Sequence, residues 1–116
     1  MQKNTYGTKG EIIATNYLKK QKYKILYTNY KNQIGEIDII AKDKKYLVFI
    51  EVKTRYSKRF GDPMEAIDEE KKFKIRNVAT MYLMKNKLID KVPIRFDAIA
   101  ILGDEDHEIR HIKDAF

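Results

Sequence analysis

Four charged side chains interrupt the two most apolar stretches of the chain. They are Glu36 and Asp38 in Gly35-Glu36-Ile37-Asp38-Ile39-Ile40, and Glu51 and Lys53 in Val48-Phe49-Ile50-Glu51-Val52-Lys53. Charge in such surroundings is costly unless it is paired or bound. Two carboxylates joined by a backbone oxygen and water make a hard-oxygen site suited to Mg²⁺ or Mn²⁺. A metal held there polarises a phosphodiester and lowers the pKa of an attacking water. A neighbouring lysine would orient that water or stabilise charge developing on the phosphate. The competing reading is an ordinary cross-strand charge cluster in which Lys53 neutralises Glu51 on a solvated face.

These groups act together only if strands bring them together. Ile34 to Ala41 and Tyr46 to Lys53 read as two strands around the polar turn Lys42-Asp43-Lys44-Lys45, a hairpin pattern. Alternation puts Glu51 and Lys53 on one face and Val48, Ile50 and Val52 on the other. Pairing Ala41 with Tyr46 sets Asp38 opposite Phe49 and Glu36 opposite Glu51. Asp38, Glu51 and Lys53 then share a face, with the Asp38 and Glu51 Cβ atoms roughly 5.5 to 8 Å apart on the diagonal. A slip of one residue would send Asp38 to the other side. Like charges this close raise a coupled titration that a divalent metal relieves.

The rest of the chain supplies the scaffold. From Gly7 to Gln21, the residues Gly7, Gly10, Ile13, Ala14, Tyr17 and Leu18 fall on one side at helical spacing, opposite Ile12, Asn16 and Lys19. Tyr23 to Asn29 alternates as a first strand. A second helix starts with Asp68 as N-cap and Glu69 and Glu70 in its first turn, and Ile75, Val78, Ala79, Tyr82 and Leu83 give it an apolar face. Pro93 opens a strand from Ile94 to Leu102 whose second half is continuously apolar, as for a strand covered on both faces. Glu108 to Lys113 reads as an edge strand. The order α-β-β-β-α-β-β predicts an α/β fold, a mixed sheet flanked by helices, in one domain spanning residues 1 to 116.

Composition agrees with a small self-sufficient core: 116 residues, 43% hydrophobic and 35% charged, with no cysteine. That is too apolar for a disordered segment, excludes thiolate chemistry and disulfides, and suits a reducing compartment such as bacterial cytoplasm. The longest apolar runs, Tyr46 to Ile50 and Ala98 to Leu102, fall far short of the roughly 20 residues of a membrane span. The polar start Met1-Gln2-Lys3-Asn4-Thr5 does not read as a secretory signal. Twenty-four Lys and Arg against 17 Asp and Glu give a net charge of +7. The acids Asp104, Glu105, Asp106, Glu108 and Asp114 crowd the end, so residues 1 to 103 carry 22 bases against 12 acids. Such a surplus favours a polyanionic partner through phosphate neutralisation, although lysines also serve solubility.

Taken together, these residues resemble the PD-(D/E)XK nuclease superfamily, with its restriction-endonuclease-like core, and within it the YraN family of small bacterial proteins. The resemblance rests on Gly7-Thr8-Lys9-Gly10-Glu11, Tyr17-Leu18, Gly35-Glu36-Ile37-Asp38, Phe49-Ile50-Glu51-Val52-Lys53-Thr54-Arg55, Phe60-Gly61-Asp62-Pro63, Lys71, Arg95-Phe96-Asp97 and Asp114-Ala115-Phe116. It implies a site of Asp38, Glu51 and Lys53, with Mg²⁺ or Mn²⁺ on Asp38, Glu51 and the Val52 backbone. It also implies that Glu11 is the helical acid that archaeal Holliday-junction resolvases of the superfamily use. Ile37 stands where the superfamily pattern has proline.

The implied activity is metal-dependent cleavage of DNA, branched or single-stranded. Two other readings are a catalytically silent nucleic-acid-binding module and a protein-interaction domain with a basic surface. The candidate nucleic-acid contacts are Lys9, alongside the backbone N–H groups of a helix start, and Arg55, Lys58 and Arg59, because Thr54 to Phe60 follows directly on Lys53 and mixes cations with aromatics. Two copies pairing to treat two strands would make a homodimer. Tyr23, Tyr27 and Tyr30 read as packing residues, His107 and His111 as structural or surface residues, and Arg95 with Asp97 as a structural ion pair.

Overall fold

The computed structural model describes residues 9–55, 67–103 and 106–116. Its elements follow the expected order: α1 (Lys9–Lys20), β1 (Lys24–Lys31), β2 (Glu36–Asp43), β3 (Tyr46–Arg55), α2 (Glu69–Lys85), β4 (Ile94–Leu102) and β5 (Glu108–Ile112). The strands form one mixed sheet in the order β1-β2-β3-β4-β5, antiparallel throughout except for the parallel pair β3–β4 that α2 connects.

Each helix covers one face. From α1, Ala14 and Leu18 pack with Ile39, Ala41, Val48, Ile50, Ile99 and Ile101. Ile12, on the opposite side of the helix, is 54% exposed. Asp68 caps α2 by accepting a hydrogen bond from the Lys71 N–H at 2.8 Å. Ile75, Val78, Ala79, Tyr82 and Leu83 then pack on Ile37, Ile40, Leu47 and Phe49. Burying one such Leu or Phe contributes about 1.5–3 kcal/mol, well above an exposed ion pair such as Lys72–Glu69, so apolar contact sets which way each strand faces.

The hairpin is tighter than the sequence pattern predicts. β2 runs on to Asp43, which pairs with Tyr46, leaving only Lys44 and Lys45 to turn. Lys44 takes a positive φ of 57°. Asp43 belongs to the strand because the Arg95 guanidinium meets its carboxylate at 3.1 Å. Ile39 therefore faces Ile50 and Phe49 faces Ile40, a register two residues away from the predicted one, and neither Asp38 with Phe49 nor Glu36 with Glu51 forms a pair. An even displacement preserves the face, so Asp38 stays on the side of Glu51. Glu36 pairs with Lys31 of β1 instead. β1 also carries a register shift between Ile25 and Tyr27, which breaks the simple alternation expected there.

A buried polar network closes the α1 side. Asp97 is fully buried and accepts hydrogen bonds from Arg95 Nε at 2.8 Å, Arg95 Nη2 at 2.9 Å and the Asp114 N–H at 3.1 Å. His111 Nε2 lies 2.8 Å from Asp97 Oδ2, and His111 Nδ1 lies 3.0 Å from the Tyr17 hydroxyl. Arg95 also donates to the Tyr23 hydroxyl at 2.7 Å. Burial alone would raise the Asp97 carboxyl, but the hydrogen bonds from His111, Arg95 and Asp114 outweigh it and hold the group below its usual range. Arg95, Asp97 and His111 are thus structural, as expected, and His107 is exposed.

Candidate functional site

The sheet forks where the acids stand. β2 and β3 pair from Asp43–Tyr46 as far as Ile39–Ile50 and no further. Beyond that point Ile37 and Glu36 stay with β1, while β3 continues beside β4 as far as Arg55. Continuing the β2–β3 register would have paired Ile37 with Val52. Instead the Asp38 side chain takes the vacated place, its Oδ2 accepting a hydrogen bond from the Val52 N–H at 2.8 Å. In an antiparallel strand the N–H and C=O of one residue point to the same edge. The Val52 carbonyl therefore faces the gap of the fork alongside Asp38.

Glu51 and Lys53 line the α2 side of β3, next to Ala98 and Ala100 of β4, whose small side chains leave room above the sheet. Glu51 is 3% exposed. Its Oε2 lies 2.8 Å from Lys71 Nζ in the first turn of α2 and 3.5 Å from Lys53 Nζ. The Asp38 and Glu51 carboxyls are within hydrogen-bonding reach of each other. Burial first, and the Glu51 charge second, push the Asp38 carboxyl up to about 8, against the pull of the Val52 N–H. Burial lowers Lys71, yet its hydrogen bond to Glu51 and the charges of Glu51 and Asp38 outweigh this and leave it raised.

Because the fork is a gap in the sheet, both helices reach it. Gly10 lets the start of α1 lie against β3: a Cβ there would overlap Thr54 Cγ2. The next residue, Glu11, has its Oε1 withdrawn from solvent, and its charge reaches Asp38. Asp38, Glu51, Lys53 and Glu11 are thereby brought together from β2, β3 and α1. Lys71 joins them from α2. Lys71 is one of the residues that carry the family resemblance, but among the charged residues of an exposed first turn nothing local assigns it to the site, and it meets Glu51 only through tertiary packing.

The donor set suits a hard divalent cation. Asp38, Glu51 and the Val52 carbonyl offer only oxygens to the fork, and the two carboxyls stand within hydrogen-bonding reach of each other, a like-charge contact that a cation would relieve. Lys9 opens α1 beside Gly10, and Arg55 ends β3 with its Nη1 donating to the Thr54 carbonyl at 2.8 Å, so both lie at one end of the molecule. Lys58 and Arg59 lie outside the described residues.

Comparison with known proteins adds a family. The model of the uncharacterised protein family UPF0102 matches residues 10–101. The chain is 46% identical over 116 residues to a UPF0102 protein of Lachnoclostridium phytofermentans, covering all of this chain and 96% of that one. It is 45% identical over 113 residues to a UPF0102 protein of Clostridium botulinum strain Loch Maree, covering 95% of this chain and 92% of the other.

Proposed function

The chain belongs to the UPF0102 family, and on that premise we propose that its sheet fork is the metal-dependent phosphodiesterase site of a nuclease-like protein acting on DNA, of the PD-(D/E)XK kind and the YraN branch within it. The observation that carries this reading is the meeting of Asp38 and Glu51, two buried or half-buried acids set face to face where β2 leaves β3.

Asp38, Glu51 and the Val52 carbonyl would hold Mg²⁺ or Mn²⁺. Bound there, the ion supplies Lewis-acid polarisation of a phosphodiester and a water of lowered pKa. Asp38 gives up its proton as the cation binds. Lys53, on the same face as Glu51, offers its ammonium to charge developing on the phosphate. Glu11 stands behind Asp38 as a third acid able to orient water. Hydrogen bonding from the Val52 N–H holds the Asp38 oxygen in place before any ligand arrives.

A second reading has its own support: the Lys71 and Lys53 ammonium groups already partner Glu51, as they would in a binding module without chemistry. The two are separated by incubating labelled duplex, single-stranded and four-way-junction DNA with Mg²⁺ or Mn²⁺, using the parent, Asp38→Ala and Lys53→Ala. Metal-dependent cleavage by the parent alone supports the phosphodiesterase. Salt-sensitive binding without cleavage, unchanged by both substitutions, supports the binding module instead.

A further inference from the structure

A cleft of about 470 Å³ runs from Asp38 and Glu51 outward between the β1–β2 turn and the first turns of α2. Its turn wall is built locally. The Asn32 side-chain oxygen accepts hydrogen bonds from the Ile34 N–H at 2.9 Å and the Gly35 N–H at 3.3 Å, and the Asn32 N–H donates to the Gly35 carbonyl at 3.0 Å. At Gly35 the turn passes close to α2: a Cβ there would stand 3.3 Å from Lys74 Cγ. Lys31 stands at the turn side of the cleft and Lys74 on the helix side, both exposed, with Lys71 between Lys74 and the acids. Glu36, opposite Lys31 on the ladder, is the counter-charge at this mouth.

We infer that this cleft is the channel for a single strand of nucleic acid, with Lys31 and Lys74 on its two walls meeting the phosphates next along the strand from the one at Asp38 and Glu51; this rests on the nuclease-like reading above. The acids at the inner end are where a cation would bridge to one phosphate, and the lysines at the outer end are where the next phosphates must pass. The space is that of a small-ligand pocket, enough to take roughly one or two nucleotides of a strand into it. The side chains lining the cleft among the described residues are lysines, acids, amides and isoleucines, whose contacts with a strand are to its phosphates and sugars, which carry no sequence information. This places the strand on residues distinct from Lys9, Arg55, Lys58 and Arg59.

The test is fluorescence anisotropy with a labelled ten-nucleotide oligothymidylate and a labelled duplex of the same length, in Ca²⁺, across a salt series. The variants are Lys31→Ala/Lys74→Ala, Glu36→Gln, and Lys19→Ala/Lys20→Ala as an equal loss of charge at the far end of α1. The cleft pair should weaken strand binding about ten-fold at low salt and flatten the salt slope by about 1.4. Glu36→Gln should tighten binding, and the α1 pair should change it less than two-fold. Equal weakening by both lysine pairs, or tighter binding of the duplex than of the strand by the parent, overturns the channel while leaving the nuclease-like reading standing. Failure of the parent to bind either oligonucleotide overturns both.

Discussion

The Asp38 carboxylate accepts a 2.8 Å hydrogen bond from the Val52 N–H, standing where the Ile37 backbone would have been had β2 stayed paired with β3. A side chain thus satisfies a donor that the splitting ladder would otherwise strand, and the same contact fixes the oxygen that a cation would meet.

Asp38 carries a stability cost that depends on pH. Its carboxyl titrates near 8 in the fold against 3.8 for the free group, so the folded protein binds the extra proton between those values. Stability from this group is therefore full below the unfolded pKa and is lost as pH rises toward 8. In EDTA, Asp38→Asn keeps the acceptor for Val52 and should be more stable than the parent by on the order of 2 kcal/mol at alkaline pH, the gain vanishing in acid. Urea midpoints across a pH series measure this.

Asp97 should show the reverse. Its carboxyl is held low, so its stabilisation is present above the unfolded pKa and is lost as pH falls through the folded one. Asp97→Asn removes one of the two carboxylates that Arg95 meets, leaving Asp43 at 3.1 Å as its remaining counter-charge among the described residues, and should cost about 2–3 kcal/mol at neutral pH. The deficit should narrow in acid. Thermal unfolding of the variant at neutral and acid pH checks both statements.

Gly10 tests how closely α1 approaches the fork. Helix propensity alone makes Gly10→Ala favourable by about 1 kcal/mol, whereas overlap with Thr54 Cγ2 should reverse the sign and cost about 1–3 kcal/mol. Thr54→Ser removes that methyl. In its background the same Gly10→Ala should be neutral or stabilising, as a double-mutant cycle of urea unfolding would show.

Much of this architecture was legible locally. The Asp68 cap and the face Ile75, Val78, Ala79, Tyr82 and Leu83 define α2 without help from elsewhere, and the alternation from Val48 to Lys53 places Glu51 and Lys53 on one face. What escaped depends on partners far along the chain. Asp43 reads as a turn residue until Arg95 draws it into the strand, and that contact alters the hairpin register by two. The fork itself has no sequence signature, because it arises from β1 and β4 pulling neighbouring strands apart. Lys71, though part of the family resemblance, had no assigned role for a similar reason: only the fold brings its ammonium to Glu51.

Lys71 should compete with a cation for Glu51. Its Nζ lies 2.8 Å from Glu51 Oε2, and a metal that uses that oxygen must displace it. Lys71→Met removes a partly exposed ion pair of about 1 kcal/mol and should tighten Mn²⁺ binding about five-fold by isothermal titration calorimetry. Unchanged or weaker affinity would show that the ammonium and the cation use different oxygens.

The most direct measurement is the anomalous difference map of crystals soaked in Mn²⁺, for the parent and Asp38→Asn. Expected in the parent is one peak in the fork, bonded to an oxygen of Asp38, an oxygen of Glu51 and the Val52 carbonyl at about 2.2 Å, with Lys71 turned away and the peak absent from the variant. A fork without a peak, with Lys71 still on Glu51, would contradict it.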